Sequence, residues 1–385
     1  MKIIKLAIKN AFRHKLRTGL TVLGMAFAVM AFGFFRTVID AWYAGAEAAA
    51  PDRLIARNAV NIIFPLPLSY RDKIAKVPGV EKVSYAYWFA AYYVDPKDFF
   101  ANFAIDHENY LDLYPEFVLD SAVLTAFRSE KTAAICGQLL ADRFGWKVGD
   151  WIRLIGTIFP GNWDLHLVGI YRGAKKSTDE SGFFLRWDMV DENLRATVSS
   201  RAGKVGWYTM KISNPNDAVS VSKTVDALFK NSLAETLTET EEAFNLSFIA
   251  MSSTIITGLQ LVSYLIIGII LLVLANTMAM TARERISEYA VLKTLGFHTR
   301  HLVGLIAGES LFISAVGGLL GMILIFPASW MFAQGMKSWF PVFEVKTLSV
   351  VLGGSFALLV GFLAAVFPIL RATRVSIVDG LRVVG

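Results

Sequence analysis

The chain has 385 residues, 55% of them hydrophobic, with a mean hydropathy of +0.48, a formal charge of +6 and a single cysteine. This composition excludes a disordered chain and a disulfide framework, and its apolar excess argues against a water-soluble protein. The charge is partitioned: residues 40–244 hold 22 Lys/Arg and 27 Asp/Glu, leaving 16 basic and 5 acidic residues elsewhere, so the pI near 9.2 signals topology and not nucleic-acid binding.

Residues 1–17 predict an amphipathic helix lying on the inner membrane surface. Ile4, Ile8, Ala11 and Phe12 share one face, and Lys2, Lys5, Lys9, Arg13, Lys15 and Arg17 are available to anionic headgroups. Residues 18–39 form the first of four apolar segments, each longer than the ~20 residues that cross a bilayer, and backbone pairing in lipid makes each a helix. A cleaved leader is the weaker reading. The apolar run exceeds a leader's usual length, and Arg36 and Asp40 separate it from the small residues Ala44, Ala46 and Ala48.

Residues 40–244 read as an α+β domain. Leu68–Ile74 predicts a helix capped by Ser69, stopped by Val77-Pro78-Gly79-Val80. Strands are expected at Val83–Tyr87, Phe99–Asp106, Trp151–Ile155, Leu165–Tyr171 and Tyr208–Ile212. Helices are expected at Gln138–Phe144, closed by Gly145, and at Asn216–Leu233, burying Ala218, Val221, Val225, Leu228 and Phe229. No nucleophile motif or Cys-x-x-Cys is present, and His107 and His166 lie far apart in sequence, so no catalysis or metal site is expected. Cys136 reads as a buried thiol. Asp179-Glu180 and Asp191-Glu192 read as solvated surface, and the aromatics of Tyr85–Tyr93 and Phe99–Phe103 as core, with a surface for lipid, peptide or an adaptor protein as the alternative for some of them.

The second span belongs to residues 245–282, a stalk plus membrane helix. Proline-free, helix-compatible sequence runs from Glu239 to Arg285, which as one rod would reach about 65–70 Å. Thr257, Gln260, Ser263 and Asn276 predict polar contact with another helix, including across a dimer. The third span (302–331) carries Ser310, Ser314, Gly317, Gly318 and Gly321. After a loop (332–347), the fourth (348–370) carries Gly353, Ala357, Gly361 and Ala365, and a basic tail (371–385) follows. These small-residue stripes predict close packing, of both spans with the second. The basic clusters put both termini and residues 283–301 in the cytoplasm and residues 40–244 outside it. The fold class expected is thus an α-helical membrane protein with four transmembrane helices plus a large α+β extracytoplasmic domain between the first two.

Arg283-Glu284-Arg285-Ile286-Ser287-Glu288-Tyr289-Ala290-Val291-Leu292-Lys293-Thr294-Leu295-Gly296 predicts a short amphipathic helix ended by glycine and suited to docking on a soluble partner. Glu309, two turns into the third span, has two readings: snorkelling to the cytoplasmic surface, or a polar tie to the segment 283–300.

These residues resemble the MacB/FtsX-like family of ABC transporter permeases. The resemblance rests on Arg283-Glu284-Arg285, Glu288, Leu292-Lys293 and Leu295-Gly296. It extends to Ala7–Thr18, Val77-Pro78-Gly79-Val80, Lys147-Val148-Gly149-Asp150, Glu309 and Arg371-Ala372-Thr373-Arg374, with Ser376 where the family often has proline. It implies a non-catalytic permease subunit in a bacterial cytoplasmic (inner) membrane, paired with a second copy or homologue, with residues 40–244 forming two lobes, one mixed α/β and one β-rich. Without a Gly-x-x-x-x-Gly-Lys motif in this chain, it also implies a separate cytoplasmic ATPase that binds ATP and Mg. That ATPase would dock on Arg283, Glu284, Arg285, Glu288, Tyr289, Leu292, Lys293, Leu295 and Gly296, with Glu309, Gln260 and Asn276 as intramembrane polar residues. A periplasmic adaptor or substrate-carrier protein and membrane lipid are further implied partners. The function implied is mechanotransmission: ATP-driven motion of stiff helices reshapes the outer domain to export or extract a hydrophobic substrate, lipoprotein or peptide. A cell-division-type relay activating an envelope hydrolase, and a scaffold without ATP coupling, are the competing readings.

Overall fold

In the computed structural model, residues 12–47, 49–336, 340 and 342–374 are described. Ile4, Ile8 and Ala11 of the predicted amphipathic helix, and the tail from residue 375 on, lie outside them. Contacts divide the described chain into a helical unit (12–41, 252–335 and 343–374) and an α+β unit (42–251 with 336–342).

Among the described residues, four helices are long and apolar enough to cross a membrane: Lys15–Glu47, Ser253–Glu284, Thr299–Met336 and Thr347–Arg374. The small-residue stripes set their packing; the fourth span packs along the second as expected, but the third uses its stripe elsewhere. A side chain at Gly317 would strike Met25, one at Gly321 would strike Val29, and one at Gly33 would strike Ile325. These approaches advance four residues at a time on both helices, so the first and third spans run parallel in fixed register. Gly318 meets Ala357 and Gly361 meets Ser314, while the Ser310 hydroxyl donates to the Gly361 carbonyl at 2.6 Å. The third span therefore uses its small residues against the first and fourth spans. The fourth also packs along the second, where Ile270, Leu274 and Met278 share a core with Ala357, Val360 and Ala364.

The stalk is not one rod. Thr236–Thr240 is a strand, and helix begins at Glu241. Helix Glu241–Met251 ends at Ser252 (φ −98°, ψ 9°), and Arg285 (φ −105°, ψ 13°) separates the second span from the short helix Ile286–Thr294. Neither position is glycine or proline, so nothing local announces these joints.

In the α+β unit we number the main strands β1 (Arg53–Asn58), β2 (Val80–Trp88), β3 (Asn102–Ile105), β4 (Ala133–Gly137), β5 (Trp151–Gly156), β6 (Gly161–Gly173), β7 (Phe183–Arg186), β8 (Trp207–Ile212) and β9 (Thr236–Thr240). They join in one hydrogen-bonded path, β9-β1-β8-β2-β3-β7-β4-β6-β5, antiparallel except for the pairs β3–β7 and β4–β6. One face buries Leu54, Tyr85, Cys136, Leu165, Leu167, Leu185 and Met210. It is covered by helices that include Gln138–Phe144, Trp187–Thr197 and Ala218–Leu228. The other face buries Ile55, Ile105, Ile135 and Phe184 with Phe127 of helix Ser121–Ser129.

Several local expectations shift. Leu68–Ile74 starts as a 3-10 turn with Pro67 as its uncapped N-terminal residue, so Ser69 caps nothing. The predicted helix Asn216–Leu233 becomes a turn at Pro215–Asp217 plus helix Ala218–Leu228, leaving Leu228 exposed. Asp191 is not solvated surface: it is buried, accepts the Gly203 N–H and pairs with Arg195. Helix Gln138–Phe144 ends as expected on Gly145, whose φ of +70° lies in the left-handed region that glycine adopts without strain.

Cys136 sits fully buried on β4, where burial pushes its thiol up to about 12. The folded chain should therefore resist a thiol reagent at pH 8 and react with one equivalent after denaturation. Rapid labelling of the native protein would show that β4 opens.

Candidate functional site

The turn between the second and third spans combines a pinned joint, an inward anchor and an exposed apolar edge. Helix Ile286–Thr294 begins after Arg285 and closes on Gly296, at φ +87°. The Gly296 N–H reaches the Lys293 carbonyl (3.1 Å) and the Phe297 N–H reaches the Leu292 carbonyl (3.0 Å). This paired closure satisfies the last carbonyls and fits a left-handed glycine.

Tyr289 and Ala290 face inward and are buried, with burial holding the Tyr289 phenol up at about 12 and hence neutral. Leu292 and Lys293 are half-buried, and Lys293 Nζ donates to the Thr373 carbonyl at the end of the fourth span (3.3 Å). Val291, Leu295 and Phe297 are exposed, as are Glu288 and Gly296. Arg283 and Glu284 are also exposed but belong to the second-span helix, and Arg285 is the joint itself.

Arg285 and Glu309 meet across the joint. The guanidinium donates to the carboxylate at 2.9 Å, and both side chains are about 95% buried. Glu309 thus does not snorkel. Sharing one burial site with a cation offsets the cost of removing each charge from water. His14, Arg17, Thr18, Thr281 and Ile313 line a small cleft around this pair.

Sequence reasoning missed the partners supplied by the start of the first span. Arg17 makes two parallel bonds to Glu284 (3.0 and 2.7 Å), and Arg13 bonds Glu288. Their charge alone suits lipid headgroups, and the signal for these pairs in the sequence is complementary charge at matching four-residue spacing. Gln260 and Asn276 are brought into no such cluster: both are exposed on the second span, whereas Ser263 is buried and donates to the Leu259 carbonyl.

The chain is similar to known proteins along most of its length. Residues 260–377 match the FtsX-like permease C-terminal family, and residues 18–228 match the MacB-like periplasmic core domain. An uncharacterized ABC transporter permease of Methanocaldococcus jannaschii is 22% identical over 410 residues, covering 99% of this chain and 97% of its own length. An uncharacterized ABC transporter permease of Bacillus subtilis is 20% identical over 429 residues, covering 98% of each chain. The macrolide export ATP-binding/permease protein MacB of Bdellovibrio bacteriovorus is 26% identical over 195 residues, 50% of this chain and 26% of that protein. Among solved structures, the extracellular domain of the ABC-type transporter YknZ from Gram-positive bacteria has a TM-score of 0.36 at 15% identity, covering 49% of this chain and 98% of that one. Four membrane-crossing helices, a large α+β insert and two adjoining family matches, one spanning more than half of the chain, place this protein in the MacB/FtsX-like family of ABC transporter permeases.

Proposed function

We propose that this permease transmits ATP hydrolysis by a separate ABC ATPase, docked on helix Ile286–Thr294, to the α+β insert on the opposite side of the membrane. The motion drives export or extraction of a hydrophobic substrate, lipoprotein or peptide. Both termini are cytoplasmic, and the chain itself carries no catalytic step. The ATP and Mg belong to the ATPase.

The observation that carries this reading is the short helix itself. Its inner face is fixed by burial of Tyr289 and Ala290 and by Lys293–Thr373, and the joint before it by Arg285–Glu309, while Val291 and Leu295 lie four residues apart on the open edge. An apolar edge on a rigid helix suits a groove in a soluble partner. A second permease copy is supported by the second span, the least covered of the four, whose outward surface includes Gln260 and Asn276.

Neither Val291 nor Leu295 enters the ion pairs, so their substitution tests docking alone. Burying one such side chain contributes about 1.5–3 kcal/mol. Leu295→Asp should therefore weaken ATPase binding at least tenfold, measured on detergent-solubilised subunits. Unchanged binding by the Val291→Asp/Leu295→Asp double variant would remove this helix as the docking element.

A further inference from the structure

We infer that Arg13 and Arg17 are positioning residues that bind the start of the first span to both sides of the Arg285 joint, so that force applied at the short helix drives the first and second spans together. This rests on the docking proposed above, and goes beyond it by adding a second lever.

The geometry is specific. Glu284 is the last residue of the second-span helix, and Glu288 lies in the short helix beyond the joint. Arg17 holds the first and Arg13 the second, across 267 and 275 residues of sequence. The arginines are four apart and so are the glutamates, so the pairs form an antiparallel ladder that brackets Arg285. His14 Nε2 adds a contact 3.8 Å from Glu284, and Phe12 meets Phe312 of the third span edge to face at 5.9 Å. Exposed ion pairs contribute little to stability. Here Arg17 is the better-covered partner, and its fork engages both carboxylate oxygens, which adds orientation as well as attraction.

The consequence follows from chain connectivity. The first-span helix continues to Glu47, and at the other chain end of the insert helix Glu241–Met251 joins the clasp-held second-span helix at Ser252. Motion of the short helix with the clasp closed reaches the insert by two routes. With the clasp open it reaches it by the second span alone, through the joint at Ser252.

The test uses the full chain assembled with its ATPase in phosphatidylethanolamine–phosphatidylglycerol vesicles. Arg17→Glu and Glu284→Arg should each lower ATP turnover about tenfold, within the ordinary range of coupling between sites, while Arg17→Glu changes ATPase affinity less than about threefold. The swap carrying both substitutions should return turnover to within about threefold of the native complex. Arg17→Lys, which keeps the charge and loses the fork, should fall between. In that variant a carbodiimide should activate the Glu284 carboxylate for attack by the introduced amine, forming an amide and releasing a urea. The cross-linked peptide is then identified by mass spectrometry. Single reversals with native turnover would overturn the proposal, as would a swap no better than either reversal. If the native chain binds no ATPase, the docking proposal fails instead, and the force-transmission role falls with it. The cross-link needs no nucleotide and separates that case: its presence keeps the clasp as a structural contact, and its absence removes the clasp itself.

Discussion

Glu309→Ala is expected to destabilise the helical unit by about 3–5 kcal/mol, the usual loss when one member of a buried ion pair is removed. The Arg285 guanidinium would lose its carboxylate partner at a site where the arginine is only 4% exposed. The loss is dominated by that uncompensated charge, so the double variant Arg285→Met/Glu309→Leu should be milder than Glu309→Ala. An apolar pair of similar volume restores packing and removes the desolvation term. Equilibrium denaturation of the detergent-solubilised chain, followed by helical circular dichroism, separates these outcomes. A single-variant loss under about 1 kcal/mol would mean that water or lipid headgroups reach the pair.

Arg53→Ala should be comparably severe in the α+β unit, again about 3–5 kcal/mol. Arg53 is 4% exposed and ties together four groups. It donates to Glu241 at 2.7 Å, to both carboxylate oxygens of Glu116 and to the Leu113 carbonyl at 2.8 Å, and its guanidinium lies 4.2 Å from the Tyr114 ring centre. Burial works against its charge, but the Glu116 bond and the Glu241 carboxylate outweigh it and raise its pKa further, so it remains a cation at any working pH. Glu241 is the first residue of helix Glu241–Met251 and also accepts the Ala50 N–H. The cluster therefore fastens the chain segment after the first span to the helix that leads into the second. Hydrogen exchange should show faster opening at Ala50–Asn58 and at Thr236–Phe244 in Arg53→Ala, with partial protection kept in Arg53→Lys. Unchanged exchange at both segments would show that the cluster is not what holds them together.

What was legible in the sequence was what depends on the chain near itself. The four spans follow from apolar runs that lipid permits only as helices. The Gly296 closure and the Gly145 stop follow from backbone conformations that other residues adopt only with strain. Membership of the permease family came from motif order along the chain, and both family matches agree with it. The α+β character of the insert was readable, but β4 was not. Ala133–Gly137 is buried at every position because helices cover both faces of the sheet, so the alternation that marks a half-buried strand is missing.

At the short turn between the second and third spans, the residue types by themselves determined that a glycine-closed helix stands between two membrane helices. Only the tertiary structure decided which of its charges are free. Glu284 and Glu288 read as exposed docking groups, yet they hold Arg17 and Arg13; Glu309 read equally as a surface acid, yet it is buried against Arg285. The breaks at Ser252 and Arg285 were equally hidden, since neither residue opposes a helix. Backbone preference and partition into lipid act between neighbours in the chain. An ion pair forms between groups hundreds of residues apart, and its partner is chosen by how helices pack, here by glycines that bring the first, third and fourth spans into one register.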